Sequence, residues 1–162
     1  ISELGTGELL GAMVESSSLP VALLPAVIFI VACIMALATG TSWGSFGILI
    51  PVAGEIIISL GATDLLLPAV AAVLAGAVFG DHCSPISDST ILSSTGSGSD
   101  HIVHVMTQLP YAVISALIGL VGFVVLGLTT SVLWGLAGVL AGLLAVFAVV
   151  KFMYRPVAKQ NA

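Results

Sequence analysis

The chain has 162 residues, of which 59% are apolar and only 7% are charged, and its mean hydropathy is +1.25. Soluble domains carry ~25% charged residues, so this sequence lacks the polar shell that a water-soluble core requires. Three Lys and Arg against eight Asp and Glu exclude a nucleic-acid-binding surface, and two cysteines cannot form a disulfide framework. The composition therefore predicts an all-α membrane protein, a polytopic helical bundle whose first partner is the lipid bilayer.

Two apolar runs open the chain, separated by a short polar cluster. The first, Leu19 to Thr39, ends in the small residues Thr39–Ser45, and the second extends from Phe46 to Leu60 with Pro51 inside it. Residues 19–60 are therefore predicted to form either two membrane spans or a re-entrant hairpin. The short second arm, interrupted by a proline, favours the hairpin.

A third apolar run, Leu65 to Gly80, is shorter than the ~20 residues that a helix needs to cross a bilayer. It ends in the polar stretch Gly80–Thr90, where Pro85 removes a backbone donor and should break the helix. Residues 65–96 are therefore predicted to form a broken transmembrane helix. Non-helical backbone at membrane depth survives only where protein or water surrounds it, so the hydroxyls and carboxylates of this stretch indicate a site for a small cation.

Two further spans complete the predicted bundle. Asp100 is suited to cap a helix, so residues 100–128 are predicted to form one span and residues 132–150 the last. Glycines at spacings of three and four in the last span predict close helix packing. All three Lys and Arg residues follow that span, and the positive-inside rule places the C-terminus in the cytoplasm. Counting back, the start of the 100–128 span lies near the cytoplasmic side.

Histidines near the break allow a different class of protein. His101 and His104 have the spacing of zinc ligands, and with Asp81 they would suit an intramembrane metal enzyme. Hydroxyl groups outnumber soft ligands nearby, so zinc is not favoured. Because no hydrolase or ATPase motif is present, we expect neither an enzymatic activity nor a cofactor.

The polar segments also resemble the motifs of a known family. The segments concerned are Glu3–Gly7, Ala38–Ile48, Phe79–Ser94, Asp100–Val105 and Thr107–Tyr111. Together they resemble the C-terminal half of the NhaC-type sodium/proton antiporter family, and the Phe79–Ser94 motif is the most specific of them. Ser45 and Ser89 stand where threonine is usual, but each keeps a hydroxyl.

The resemblance implies an architecture and a function. Members of this family belong to the ion-transporter superfamily and contain two inverted repeats, each with a re-entrant hairpin and a broken helix. Residues 1–162 would then be the C-terminal repeat, and a missing N-terminal half would be their partner. The implied function is secondary exchange of Na⁺ for H⁺ across the bacterial inner membrane. An ion-coupled organic-anion exchanger of the malate/lactate type is the alternative in the same fold, and a homodimer is an open alternative for the assembly.

The implied ion site combines the hairpin tip with the broken helix. Burial disfavours the charged form of a carboxyl group and a bound cation favours it, so one carboxylate can hold either Na⁺ or H⁺. Asp88 is the preferred coupling carboxylate because hydroxyl residues flank it, and Asp81 is the second candidate. Na⁺ is assigned to Asp88, Ser87, Thr41 and Ser42. The full set of predicted ion ligands is Thr39, Thr41, Ser42, Ser84, Ser87, Asp88, Ser89 and Thr90.

Overall fold

A computed structural model describes residues 6–16 and 19–153, and every regular element in this part of the chain is helical. The helices are α1 (Thr6–Ser16), α2 (Leu24–Thr39), α3 (Ser42–Ser59), α4 (Leu66–Cys83), α5 (Asp88–Ser97), α6 (His101–Thr129) and α7 (Val132–Met153). Short 3₁₀ turns, Val21–Leu23 and Thr63–Leu65, lead into α2 and α4. Five of these segments are long and apolar enough to cross a membrane, which confirms an all-α polytopic membrane protein.

The second arm of the predicted hairpin is an intact helix. α3 continues through Pro51 without a break and has 18 residues, about 27 Å at 1.5 Å per residue. The expectation that the proline interrupts this arm is therefore wrong, and that argument for a re-entrant hairpin no longer holds. The two-span form and the re-entrant form of residues 19–60 both stay predictions.

The third apolar segment is longer than its hydropathy suggested. α4 does not end at Gly80 but continues through Asp81 and His82 to Cys83. With its leading 3₁₀ turn it gives a candidate span of 21 residues, Thr63–Cys83. The helix is interrupted at residues 84–87, and α5 begins at Asp88. The polar residues 81–83 are thus part of the helix, and the interruption lies around Pro85.

Two glycines bring α4 against α2. A Cβ atom on Gly76 would lie 2.9 Å from the Cβ of Ala32, and one on Gly80 would lie 2.8 Å from the Cβ of Ala36. Both values are below ordinary van der Waals contact, so these helices touch backbone to backbone, as small residues permit in membranes. Because later residues of α4 contact later residues of α2, the two helices are parallel. Their C-terminal ends therefore lie at the same level.

The last two helices flank this pair. On α6, a Cβ atom at Gly119 would contact the ring of Phe29, and one at Gly127 would contact Ala22, so α6 is antiparallel to α2. α7 packs along α6 through its glycines, since a Cβ on Gly142 would lie 3.0 Å from the side chain of Ile118. This contact is the close packing that the glycine spacing predicted.

The α2–α4 contact predicts a strong effect of one added methyl group. Gly76→Ala should lower the free energy of unfolding by about 1–3 kcal/mol, because the backbone of α2 must move to admit it. The matched control is Gly47→Ala on α3, where a Cβ meets nothing within 4 Å and alanine favours the helix. The measurement is the melting temperature of the purified full-length protein. Equal melting temperatures for the two variants would contradict the packing described.

Candidate functional site

Four helix ends meet at one place in the bundle. α2 ends at Gly40, whose φ of +69° reverses the chain, and Thr41 caps α3 by accepting a hydrogen bond from the Gly44 amide at 3.3 Å. The interruption after α4 lies against this turn, because a Cβ on Gly40 would stand 2.9 Å from the side chain of Ile86. Both the positive φ and this approach require glycine. The C-terminal ends of α2 and α4 therefore meet the N-terminal ends of α3 and α5.

Asp81 is the carboxylate at the centre of this junction. It lies in the last turn of α4 and is only 9% exposed. Its Oδ2 accepts a hydrogen bond from Ser42 Oγ at 2.9 Å, and its Oδ1 accepts one from Ser87 Oγ. Ser42 belongs to the first turn of α3, and Ser87 immediately precedes α5. One carboxylate thus connects the tip of the α2–α3 hairpin to the interruption between α4 and α5.

A third hydroxyl group extends this cluster. Ser89 Oγ lies 2.8 Å from Ser87 Oγ and 3.5 Å from Asp81 Oδ1. A serine hydroxyl has one proton to donate and two lone pairs that accept, so Ser87 can donate to Asp81 while its lone pairs face another group. We call Asp81, Ser42, Ser87 and Ser89 the Asp81 cluster.

Asp88 does not belong to the Asp81 cluster. Its side chain is exposed in the first turn of α5, and its Oδ1 accepts a hydrogen bond from the Ser89 amide at 2.7 Å. A carboxylate in this position stabilises a helix N-terminus. The hydroxyls that flank Asp88 in the sequence are directed elsewhere: Ser87 bonds to Asp81, and Thr90 donates to the carbonyl of His82 at 3.4 Å.

The other predicted ligands shape the turns around the cluster. Ser84 is fully buried, and its Oγ accepts from the Ile86 amide at 3.4 Å. The Thr41 carbonyl accepts from Ser45 Oγ at 2.8 Å. Thr39 is exposed and donates to the Met35 carbonyl at 2.9 Å. Thr41 and Ser84 therefore lie beside the Asp81 cluster, whereas Thr39 is on the outer side of α2.

The start of α6 holds the interruption in place. As predicted, Asp100 caps α6, its Oδ1 accepting from the Val103 amide at 3.0 Å. His101 Nε2 donates to the Pro85 carbonyl at 2.6 Å, and its Nδ1 lies 3.1 Å from Ser94 Oγ. Gln108 Nε2 donates to the His82 carbonyl. The sequence did not indicate these two contacts, because their acceptors are backbone carbonyls that leave no residue pattern.

The hydrogen bonds of His101 leave neither of its ring nitrogens directed at a metal site, which concerns the metal-enzyme alternative. Both of its ring nitrogens face protein groups, a carbonyl on one side and a hydroxyl on the other. Within residues 6–16 and 19–153, no group of three or more His, Cys, Asp or Glu side chains is close enough together to hold a metal ion. The described part of the chain therefore offers no support for pairing His101 with His104 and Asp81 around zinc.

Among the described residues, the side chains that hydrogen-bond to Asp81 are all serine hydroxyls. Lys151, at the end of α7, is the single Lys or Arg that the structure describes, and α7 packs against α6. Burying an ionised carboxylate without a counter-charge is costly, so a proton or a mobile cation is needed there. Every fully buried side-chain polar atom in the described residues has a hydrogen-bond partner. The hydroxyl cluster and the missing counter-charge together suit a site for a small cation.

Membrane-spanning helices around a buried, hydroxyl-lined carboxylate define a membrane transporter rather than an enzyme. The comparison with known families agrees. Residues 1–128 match the Na⁺/H⁺ antiporter family, and the chain belongs to this family.

Individual relatives show how much of a transporter this chain represents. It is 46% identical over 151 residues to an uncharacterized protein of Haemophilus influenzae, covering 93% of this chain and 29% of that protein. It is 35% identical over 137 residues to an uncharacterized Na⁺/H⁺ antiporter of the same organism, covering 75% of this chain and 28% of that protein. It is 43% identical over 100 residues to the malate-2H⁺/Na⁺-lactate antiporter of Bacillus subtilis, covering 60% of this chain and 20% of that protein. The chain thus spans less than a third of each relative, and no solved structure matches it.

Proposed function

We propose that this chain forms the C-terminal, NhaC-type repeat of a secondary transporter that exchanges Na⁺ for H⁺ across the plasma membrane. The observation that carries the proposal is the buried Asp81 carboxylate, which has no basic partner among the described residues and accepts hydroxyl donors from two separate helix junctions. Hard cations prefer oxygen ligands, and the Asp81 cluster offers carboxylate and hydroxyl oxygens. Discontinuous helices that expose such oxygens are typical of transporter ion sites.

The Asp81 cluster can hold a sodium ion or a proton, but not both. When Asp81 is ionised, Ser42 and Ser87 can each donate to it while their lone pairs face a cation. A proton on Asp81 removes the negative charge and places an O–H donor where the cation needs a lone pair. Binding of Na⁺ therefore releases the proton, and return of the proton expels Na⁺. This competition couples the two fluxes without any further group.

Occupancy of the cluster is also linked to the position of helices. Asp81 belongs to α4, Ser42 to α3, and Ser87 to the interruption before α5. When Asp81 gains or loses a proton, one of these serines must change between donating and accepting. The preferred position of α3 relative to α5 then differs between the two occupied states, which is the differential interaction that a conformational change requires.

The organic-anion alternative rests on the same junction. The N-terminal ends of α3 and α5 both point into it, and helix N-termini bind carboxylates through free amides and the helix dipole. The B. subtilis relative is named for malate and lactate together with protons and sodium. In that reading, the Asp81 cluster binds the coupling ion and the helix ends bind the anion. Lactate uptake by vesicles preloaded with malate, measured with the full-length protein, distinguishes the two functions.

The first prediction from this proposal assigns the coupling carboxylate. Asp81→Asn in the full-length transporter should abolish Na⁺-driven proton movement in membrane vesicles, because the amide keeps the shape but cannot titrate. Asp88→Asn is the matched control, an identical change seven positions along the chain on an exposed side chain. It should leave exchange largely intact.

The reverse result decides between the two candidates. If Asp88→Asn abolishes exchange and Asp81→Asn does not, Asp88 is the coupling residue as first expected from the sequence. If both variants exchange at the parent rate, the coupling carboxylate lies in another part of the transporter.

A second prediction concerns the hydroxyl groups. Ser42→Ala and Ser87→Ala should each weaken apparent Na⁺ affinity several-fold, since losing one neutral polar contact costs about 1 kcal/mol. Ser115→Ala is the control, because that hydroxyl is exposed on α6 and bonds to the Tyr111 carbonyl in its own helix. The measurement is the Na⁺ concentration that gives half-maximal exchange. An unchanged value for both cluster variants would remove these serines from the site.

A third prediction concerns topology. By the positive-inside rule, a cysteine at Thr95 in α5 should react with impermeant reagents from the cytoplasm, and one at Thr63 before α4 only from outside. A cysteine at Trp43, at the hairpin tip, separates the two forms of the hairpin. Protection from bulky cytoplasmic reagents indicates a re-entrant hairpin, whereas fast labelling identifies α2 and α3 as complete spans. Labelling of Thr95 from outside would reverse the orientation.

A further inference from the structure

A small polar cavity lies between α4, α5 and α6, beside the Asp81 cluster. Its volume is about 80 Å³. It is lined by His82, Ser89, Thr90, Ser93, His104 and Gln108. A cavity needs ~10–15 Å³ of probe volume and several polar partners to hold a water molecule, and this one satisfies both conditions several times over. The cavity is therefore large and polar enough to hold water.

The Asp81 cluster is closed on its other sides. Toward α2, Gly80 lies so close that an added Cβ would be 2.6 Å from the amide nitrogen of Leu37. Toward α3, Ser42 is 8% exposed and Ser45 is fully buried. Ser84 in the interruption is fully buried as well. In the described part of the chain, the residues on these sides are thus buried or nearly so.

Ser89 connects the cavity to the cluster. Its side chain lines the cavity and is exposed, while its Oγ lies 2.8 Å from the buried Ser87 Oγ and 3.5 Å from Asp81 Oδ1. Ser87 in turn bonds directly to Asp81. A continuous row of hydroxyl groups thus leads from this polar cavity to a carboxylate that is otherwise enclosed.

We propose that this cavity is the aqueous entrance through which monovalent cations and protons reach Asp81, an inference that rests on the exchange function proposed above. A cation in the cavity meets hydroxyl oxygens of Ser89, Thr90 and Ser93, which replace part of its water shell before it reaches the carboxylate. Gln108 forms a fixed wall, because its amide nitrogen donates to the His82 carbonyl. Ser93 lies one helical turn beyond Ser89 on α5 and stands at the outer part of this path.

The entrance can be blocked after the protein has folded. Ser93→Cys in the purified full-length transporter is treated with a thiol reagent that adds a trimethylammonium-ethyl group, and then reconstituted into vesicles. Thr95→Cys is the matched control: it is an exposed hydroxyl residue on the same helix, two positions further and therefore on the opposite side. The equally treated parent accounts for the native cysteines, of which Cys33 and Cys83 are buried. Each protein's rate before treatment is its own baseline.

We expect modification of Ser93→Cys to slow exchange about tenfold or more, because a bulky, positively charged group then occupies the entrance. Modified Thr95→Cys and the treated parent should keep their rates. Complete modification, checked by mass spectrometry, with no loss of rate at position 93 would overturn the entrance while leaving the exchange function intact. A parent protein that exchanges neither Na⁺ for H⁺ nor malate for lactate would overturn the proposed function together with this inference.

Discussion

The hydrogen bonds from Ser42 and Ser87 to the Asp81 carboxylate are the interaction on which the rest of this structure depends. They join the two polar junctions of the bundle at a place where water is largely excluded and the described residues supply no basic partner. A carboxylate in such a position is tolerated only with full hydrogen bonding and an exchangeable positive charge. The hydroxyls satisfy the first requirement, and the second requirement is the basis of the proposed exchange of Na⁺ for H⁺.

The packing of α4 on α2 places the two polar junctions at the same height in the bundle. Gly76 and Gly80 allow α4 to lie directly on α2, parallel to it, so that the ends of both helices coincide. Gly40 then turns the chain into α3 directly against the interruption that precedes α5. A larger residue at any of these positions would clash with the facing segment and force it away. The polar site is therefore a consequence of backbone contacts between glycine-containing surfaces.

Much of the architecture could be predicted from composition, because long uncharged runs leave few alternatives to membrane helices. Both polar interruptions were also apparent, since small hydroxyl residues, glycine and proline stand out in an apolar chain. The carboxylate at the centre of the junction was apparent only as the second candidate. Asp88 has more hydroxyl residues next to it in the sequence. Asp81 instead accepts a hydrogen bond from Ser42, which lies on a helix that is distant along the chain. The end of α4 was placed at Gly80 because polarity begins there, but the polar residues that follow remain helical as far as Cys83.

α6 holds the interruption through main-chain carbonyl groups, and this determines which nearby side chains are free to change. His101 and Gln108 hold the main-chain carbonyls of Pro85 and His82 rather than their side chains. Pro85 is still required to interrupt the helix, because it lacks a backbone donor. The side chain of His82 is exposed and lines the cavity beside the junction. A substitution at His82 would therefore change the wall of that cavity while the Gln108 contact to the backbone is kept.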